Sequence, residues 1–364
     1  MSNSKIKILF VLPTLKAGGA ERVISFVASN LNRQKFESIL VVMGKAEDAV
    51  YSTEGIEVHF LNKSRVIKAV PLLLKYFIAI RPHIVVGSIS HVNRVLAMAS
   101  FLFPRIKFVG REASVSSIMK LYPSTSRRFK LPILKNYYHR MSAIVCQSSD
   151  MADDLVAEFN VPKQKMHLIS NPISGNLPLK TVNSNPNRPK RLITIGRLSK
   201  EKGHDRILKA LSKAGFDYRY TIIGTGTEMD ALFQLAKELH IFDKIDYIPH
   251  TDDVATYLAQ SDVFIQGSYV EGFPNALLES CVVGTPVLAF PSPGGTKEII
   301  EEDINGFIVD NDTDFIEKLN YILHQKKWDP QQVSLSVTNK YNKELILKKY
   351  ETLFKNLSSK QRSK

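Results

Sequence analysis

The stretch Asn171–Lys190, NPISGNLPLKTVNSNPNRPK, and the six residues after it, Arg191–Gly196 (RLITIG), decide the fold. The first stretch is rich in Pro and Asn and has no hydrophobic periodicity, which is the composition of a linker or surface loop. The second is a short apolar, β-branched run ending on Gly, which reads as a buried strand entering a turn. A pattern that stops and restarts on a fresh strand describes two domains, and 364 residues are enough for both.

Outward from this break the same alternation appears on each side. Before it, strand-like runs lie at Lys5–Pro13, Ser38–Met43, Val58–Leu61, His83–Gly87, Ile106–Gly110 and Ala143–Gln147, with helical patterns between most of them. Gly19–Leu31 places Val23, Phe26, Val27 and Leu31 on one helical face. After the break, strands are expected at Tyr220–Gly224, Ile245–Pro249, Val263–Gln266, Val287–Phe290 and Phe307–Val309. Such runs separated by helices predict parallel sheets covered on both faces, hence two doubly wound α/β domains facing each other across a cleft. The expected organisation is a first domain over 1–175, a linker over 176–190 and a second domain over 191–338. A last helix over 339–357 carries Tyr341, Leu345, Ile346, Tyr350 and Phe354 at helical spacing and fits either domain; a basic, disordered tail follows over 358–364.

The net charge of +14 is unevenly placed. Residues 1–180 carry 25 Lys and Arg against 11 Asp and Glu, whereas residues 181–364 carry 24 of each. The first half is therefore expected to meet an anionic partner, and the basic, apolar segments Lys63–Arg81 and Lys120–Lys135 are its candidate contacts with an anionic membrane surface. Cys146 and Cys281 form neither a disulfide framework nor a metal spacing, which fits a reducing compartment. The apolar run Ile8–Pro13 is too short for a signal peptide, and Ala69–Ile80, interrupted by Pro71 and Lys75, falls short of a membrane span.

The motifs that carry chemistry follow strands. In Glu271-Gly-Phe-Pro-Asn-Ala-Leu-Leu-Glu279 the first Glu lies in a loop, Pro274 fits the first helical position, and Glu279 lies more than one turn into the helix. That places the two carboxylates on the order of 10 Å apart, too far for one metal but suited to gripping a long hydroxylated ligand at both ends. Gly18-Gly19-Ala-Glu-Arg follows the first strand and offers backbone donors to an anion. Gly196-Arg197-Leu-Ser-Lys-Glu-Lys202-Gly203 puts a guanidinium and an ammonium where a diphosphate would bind. Gly294, Gly295 and Thr296 open a helix after another strand and again present donors, whereas Gly224-Thr-Gly226 reads as a turn. The acidic run Asp310–Asp314 is read as a helix cap, and no cluster has metal-ligand spacing.

The order GGAER, GRLSKEKG, EGFPNALLE, GTPV and PGGTKEII closely resembles the family 4 retaining glycosyltransferases over nearly the whole chain. The resemblance implies the GT-B fold, with the donor held mainly by the second domain and the last helix crossing back to the first. It implies that Arg197 and Lys202 hold the donor diphosphate and that Glu279 accepts hydrogen bonds from the ribose. Glu271, with Gly272, Phe273, Pro274 and Asn275, would contact the donor sugar. Gly18 and Gly19 would lie beneath the phosphate or the acceptor, and Gly294, Gly295 and Thr296 would line the pocket. Two positions depart from the family: His250 stands where Gly is usual, and Arg111-Glu112 stands where a His near the reacting carbon is usual. Glu112 and His91 are therefore the candidates on the acceptor side, with Glu271 the third catalytic candidate.

The family resemblance further implies same-face attack, in which the leaving phosphate helps deprotonate the acceptor, with no metal and no cofactor beyond the nucleotide-sugar co-substrate, a UDP-sugar. The acceptor is expected to be lipid-linked or a polysaccharide, and the protein peripheral at the inner face of the cytoplasmic membrane. A nucleotide-sugar epimerase on the same architecture is the alternative. A basic nucleic-acid binder fits less well, because no RNA-binding signature is present and Glu271 and Glu279 repel phosphate backbones.

Overall fold

The structure is a computed structural model that describes residues 5–122, 137–175, 177–181 and 188–362. The chain divides into two compact units. One holds the described residues up to Ser117, those from 137 to Ser174 and the final helix from Lys343; the other holds Gly175–Asn342 with the short stretch that starts at Ile118.

The first unit is built on seven strands: β1 (Ile6–Leu12), β2 (Phe36–Val42), β3 (Glu57–Phe60), β4 (Ile84–Ser88), β5 (Lys107–Arg111), β6 (Ala143–Cys146) and β7 (Met166–Leu168). The second is built on six: β8 (Lys190–Ile195), β9 (Tyr218–Ile223), β10 (Ile245–Ile248), β11 (Val263–Gln266), β12 (Val287–Ala289) and β13 (Gly306–Ile308). The orders are β3-β2-β1-β4-β5-β6-β7 and β10-β9-β8-β11-β12-β13, with parallel pairing across both switch regions. Every residue from Ile8 to Leu12 is fully buried, as a strand covered on both faces requires. Strand β7 gave no sequence signal, because it is three residues long and only partly buried at the sheet edge.

Each order reverses once, between β1 and β4 and between β8 and β11. Loops that leave neighbouring strands there run to opposite faces and leave a crevice at the C-terminal edge. The loops after β8 and β11 are the ones that carry Arg197, Lys202 and Glu271.

Helix Val66–Ile80 continues through Pro71. The carbonyl that Pro71 leaves without a donor belongs to exposed Ile67, so the lost bond lies on the solvent side of the helix.

The expected single helix over 339–357 is two helices, Pro330–Tyr341 and Lys343–Arg362. Asn342 breaks them in an extended conformation, and its Nδ2 donates to the Thr338 carbonyl at 3.3 Å, serving a helix end. The first of the two buries Val333, Val337 and Tyr341 within the second unit. The other packs Ile346, Tyr350, Leu353 and Phe354 into the core of the first unit, where Phe354 meets Phe10 and Phe36 edge-on. It runs on to Arg362, past the start of the expected disordered tail, because a docked helix propagates cheaply through polar residues.

Phe354→Ala is predicted to destabilise the first unit by about 3–5 kcal/mol, the usual cost of emptying a buried aromatic site. Urea denaturation followed by intrinsic fluorescence measures it, and an unchanged midpoint would contradict the docking of this helix.

Candidate functional site

In the second unit the chain leaves β8 through Gly196–Gly203, with a 3-10 turn over Lys200–Lys202. It leaves β11 through Gly267–Pro274 into helix Asn275–Val282. Main chain meets main chain between these loops. A Cβ on Gly203 would strike the Gly267 carbonyl, and a Cβ on Gly267 would strike the Gly203 carbonyl. The Tyr269 N–H donates to the Glu201 carbonyl at 2.8 Å. This seating brings Lys202 Nζ to Glu271 Oε1 at 2.6 Å, and Ser268 Oγ donates to the same oxygen at 2.5 Å. Arg197 is exposed, and among the described residues its guanidinium binds no protein group. The crevice thus holds one cation paired with a carboxylate and one available to a ligand.

The loop behind is packed as closely. The Glu271 N–H donates to the Pro293 carbonyl and the Gly295 N–H to the Gly272 carbonyl, each at 2.9 Å. Gly294 has φ of 122°, and a Cβ there would strike the Glu271 carbonyl; one on Gly295 would strike the Phe273 ring. One of the two glycine N–H groups read as phosphate donors is therefore already used inside the protein. Thr296 is fully buried, with its hydroxyl bonded to Gln266 Nε2 at 2.9 Å and Ser292 Oγ at 2.8 Å. Phe273 is also buried and meets Tyr341 edge-on at 5.1 Å.

Pro274 is the N-cap of the next helix rather than its first residue. Its ψ of 97° is extended, and its carbonyl accepts from the Leu278 N–H at 3.1 Å. Asn275 is then the first helical residue and Glu279, 8% exposed, the fifth.

Gly224 and Gly226, read as a turn, have a sharper purpose: Cβ atoms there would strike the carbonyls of Gly196 and Leu198. They form the seat of the Arg197 loop. His250 is exposed and lies 3.3 Å from Asp252. The acidic run caps helix Asp312–Asn320, with Asn311 Oδ1 accepting from the N–H groups of Thr313 and Asp314. Among the described residues no group of three His, Cys, Asp or Glu could hold a metal ion.

His204, which the sequence analysis passed over, begins helix His204–Leu211 and is 4% exposed. Its Nε2 donates to the Arg197 carbonyl at 3.1 Å, so that nitrogen carries a proton. Burial pulls its pKa down to about 4, and the nearby Lys202 charge acts in the same direction. The only sequence cue was a His at a helix start directly after a glycine.

In the first unit, Gly18 is the N-cap of helix Gly19–Asn30, and its N–H donates to Tyr51 Oη at 2.8 Å. The Tyr51 hydroxyl donates in turn to the Gly18 carbonyl at 3.0 Å. Ile89, between β4 and helix Ser90–Leu102, has φ of 76°, a strained value for a β-branched residue and one that clusters at functional loops. His91 is exposed on the first turn of that helix. Glu112 is buried beneath it, accepting from Asn93 Nδ2 at 2.9 Å, Tyr137 Oη at 3.1 Å and Ser90 Oγ at 3.1 Å. Burial raises the Glu112 pKa, and these bonds oppose the rise. Arg111 is buried too, donating to Asn171 Oδ1 at 2.6 Å and Ser88 Oγ at 3.3 Å, so it ties the strand ends to the start of the connecting segment.

A depressed His204 pKa makes stability fall with acid. Above its ordinary pKa of 6.5 both states are neutral. As pH drops from there towards 4, the unfolded chain takes up a proton that the folded chain refuses. The wild type is therefore predicted to lose about 2–3 kcal/mol more than His204→Gln between pH 7 and about pH 4.5, measured by urea denaturation. Equal losses in the two proteins would refute a buried neutral His204.

Residues 17–175 match the model described as Glycosyltransferase Family 4, and residues 179–337 match Glycosyl transferases group 1. The Campylobacter jejuni N-acetylgalactosamine-N,N'-diacetylbacillosaminyl-diphospho-undecaprenol 4-alpha-N-acetylgalactosaminyltransferase is 26% identical over 338 residues, 88% of this chain and 91% of that one. The Escherichia coli O-antigen biosynthesis glycosyltransferase WclY is 27% identical over 54% of this chain and 57% of that one. Among solved structures, Anabaena HepE in complex with UDP-glucose aligns with a TM-score of 0.79 at 20% identity, covering 95% of this chain and 99% of that one. The lipopolysaccharide outer core galactosyltransferase WaaB aligns with a TM-score of 0.75 at 17% identity, covering 95% and 98%. The two family matches, which together span most of the chain, show that it belongs to the family 4 glycosyltransferases, and its two parallel α/β units have the GT-B fold of the neighbouring structures.

Proposed function

We propose that the protein is a retaining, metal-independent transferase that moves a hexose or N-acetylhexosamine from a UDP-sugar to a lipid-linked or polysaccharide acceptor at the inner face of the cytoplasmic membrane. The observation that carries this reading is the seating of Lys202 against Glu271, with Arg197 unpaired, at the switch point of the second sheet. Arg197 and Lys202 hold the diphosphate, Glu271 the sugar and Glu279 the ribose. In the reaction the bond from the sugar C1 to the diphosphate oxygen breaks, and a bond from C1 to the acceptor oxygen forms on the same face. The acceptor proton passes to the leaving phosphate, whose growing charge the two cations stabilise. Glu112 and His91 are the candidates on the acceptor side. The acceptor class is supported by relatives named for undecaprenol-linked and O-antigen substrates.

A membrane contact of the first unit is supported by charge and exposure. From Val58 to Ser149 the sequence holds 15 Lys and Arg and a single carboxylate, Glu112, which is buried. Helix Val66–Ile80 has no acidic residue and exposes Ile67 and Ile78 alongside Lys68 and Lys75. Apolar side chains among lysines suit a headgroup interface. Most of the other basic segment, Lys120–Lys135, lies outside the described residues. Among the described residues no helix is long and apolar enough to cross a membrane.

A panel of nucleotide sugars, read as thermal stabilisation, is expected to single out a UDP-sugar. Lys202→Ala should then slow UDP release in the presence of acceptor by about 100-fold, and Glu279→Ala should act mainly on donor affinity, by about tenfold. Wild-type turnover in both variants would sink the reading, and conversion of the UDP-sugar incubated alone would favour an epimerase. Ile67→Asp combined with Ile78→Asp should weaken binding to phosphatidylglycerol-containing vesicles by at least about tenfold and leave UDP binding unchanged. Unaltered vesicle sedimentation would remove this helix from the membrane contact.

A further inference from the structure

We propose that Arg206 is a positioning residue of the donor site, whose guanidinium holds the loop that presents Glu271 to Lys202. The proposal rests on the reading of Glu271 as a donor contact.

Arg206 is the third residue of helix His204–Leu211 and lies behind the crevice. Its Nε donates to the Gly267 carbonyl and its Nη2 to the Ser268 carbonyl. The guanidinium carbon lies 4.3 Å from the centre of the Tyr269 ring and 4.5 Å from that of the Phe290 ring. Among the described residues no carboxylate pairs with it. Its charge is spent on two successive carbonyls and two aromatic faces, all of which belong to, or lie beside, one loop. That is a specific use of a planar fork, which grips two acceptors at a fixed spacing while stacking on rings.

The loop needs such a grip. Gly267 must have no side chain, because it seats the backbone of Gly203, so side-chain packing cannot fix its conformation. Ser268, whose carbonyl Arg206 holds, also donates its hydroxyl to Glu271 Oε1, the oxygen that receives Lys202. Arg206 therefore holds the main chain of the very residue whose hydroxyl orients Glu271. The same helix start supports the other loop, since His204 holds the Arg197 carbonyl. One turn of helix thus fixes the backbone of both cation-bearing and carboxylate-bearing loops, and Arg206 is the member that acts on the carboxylate.

A residue that only packs would lower stability without acting through Glu271. A double-mutant cycle on donor binding separates the two cases. The UDP-sugar that most stabilises the wild type is titrated calorimetrically against wild type, Arg206→Met, Glu271→Gln and the double variant, with folding checked by circular dichroism. Each single change is expected to weaken binding by about tenfold, within the range of coupled groups in one network, and the double variant should match Glu271→Gln within about twofold. Arg206→Lys, which keeps charge and stem but not the fork, should remain impaired; if Arg206→Met does not fold, the cycle is run with this variant. A penalty at residue 206 that persists undiminished in the Glu271→Gln background, or full rescue by Lys, overturns the proposal. Wild-type affinity in Glu271→Gln overturns instead the donor-contact reading on which the proposal rests.

Discussion

The contact between two backbones, Gly203 against Gly267, is the constraint on which the candidate site of the second unit depends. Strands β8 and β11 are neighbours, so the loops that leave them start close together, and only glycine at both positions lets them stay so. A side chain on either would part the loops and draw Lys202 away from Glu271. The same device recurs around the crevice: Gly224 and Gly226 seat the Arg197 loop, and Gly294 and Gly295 seat the Glu271 loop. A floor of main chain on main chain leaves little rotamer freedom and gives the functional side chains fixed origins.

On that floor the charges are set unequally. Lys202 is matched by Glu271 before any ligand arrives, whereas Arg197 remains open to solvent. In the proposed reading an incoming diphosphate would meet one cation immediately and share the other with Glu271. Electrostatic stabilisation of this kind gains from donors already in place, because little reorganisation is left for the reacting state. The first unit treats its charges differently. Arg111 is buried and spent on Asn171 and Ser88, and Glu112 is buried under three hydrogen-bond donors. The adjacent Arg111 and Glu112 therefore have separate uses, one fastening strand ends and the other holding a carboxyl with a raised pKa at a strained turn.

The fold was legible because buried parallel strands write themselves as apolar, β-branched runs, and twelve of the thirteen strands among the described residues were expected from such runs. Strand β7 lacks it because an edge strand of three residues needs no apolar face. The split of the last helical pattern at Asn342 was hidden, since the apolar spacing is continuous through it and the two halves differ only in the unit they pack against. Among the charged candidates, the structure brings Lys202 and Glu271 together and leaves Arg197 exposed beside them on the same loop as Lys202. Their supports were less legible. His204 and Arg206 sit on a helix start that reads as an ordinary amphipathic face, and nothing local says that they bond carbonyls 7 residues away, for His204, and 61 and 62 residues away, for Arg206. Gly294 and Gly295 were read for N–H groups offered to a phosphate; at Gly295 the structure uses both the N–H, which bonds the Gly272 carbonyl, and the missing side chain, which admits the Phe273 ring.

The geometry also bears on what Glu271 can do. Its Oε1 accepts from both Lys202 and Ser268, so that oxygen is already committed as an acceptor and neither bond involves Glu279. The two acids of the motif are separated by a loop closure at Pro274 and a helical turn, and each is nearly buried on its own element. A carboxylate held by an ammonium and a hydroxyl is built to orient hydroxyl groups and to balance a cation. In the proposed reaction the acceptor's proton goes instead to the leaving phosphate, which Arg197 and Lys202 would steady.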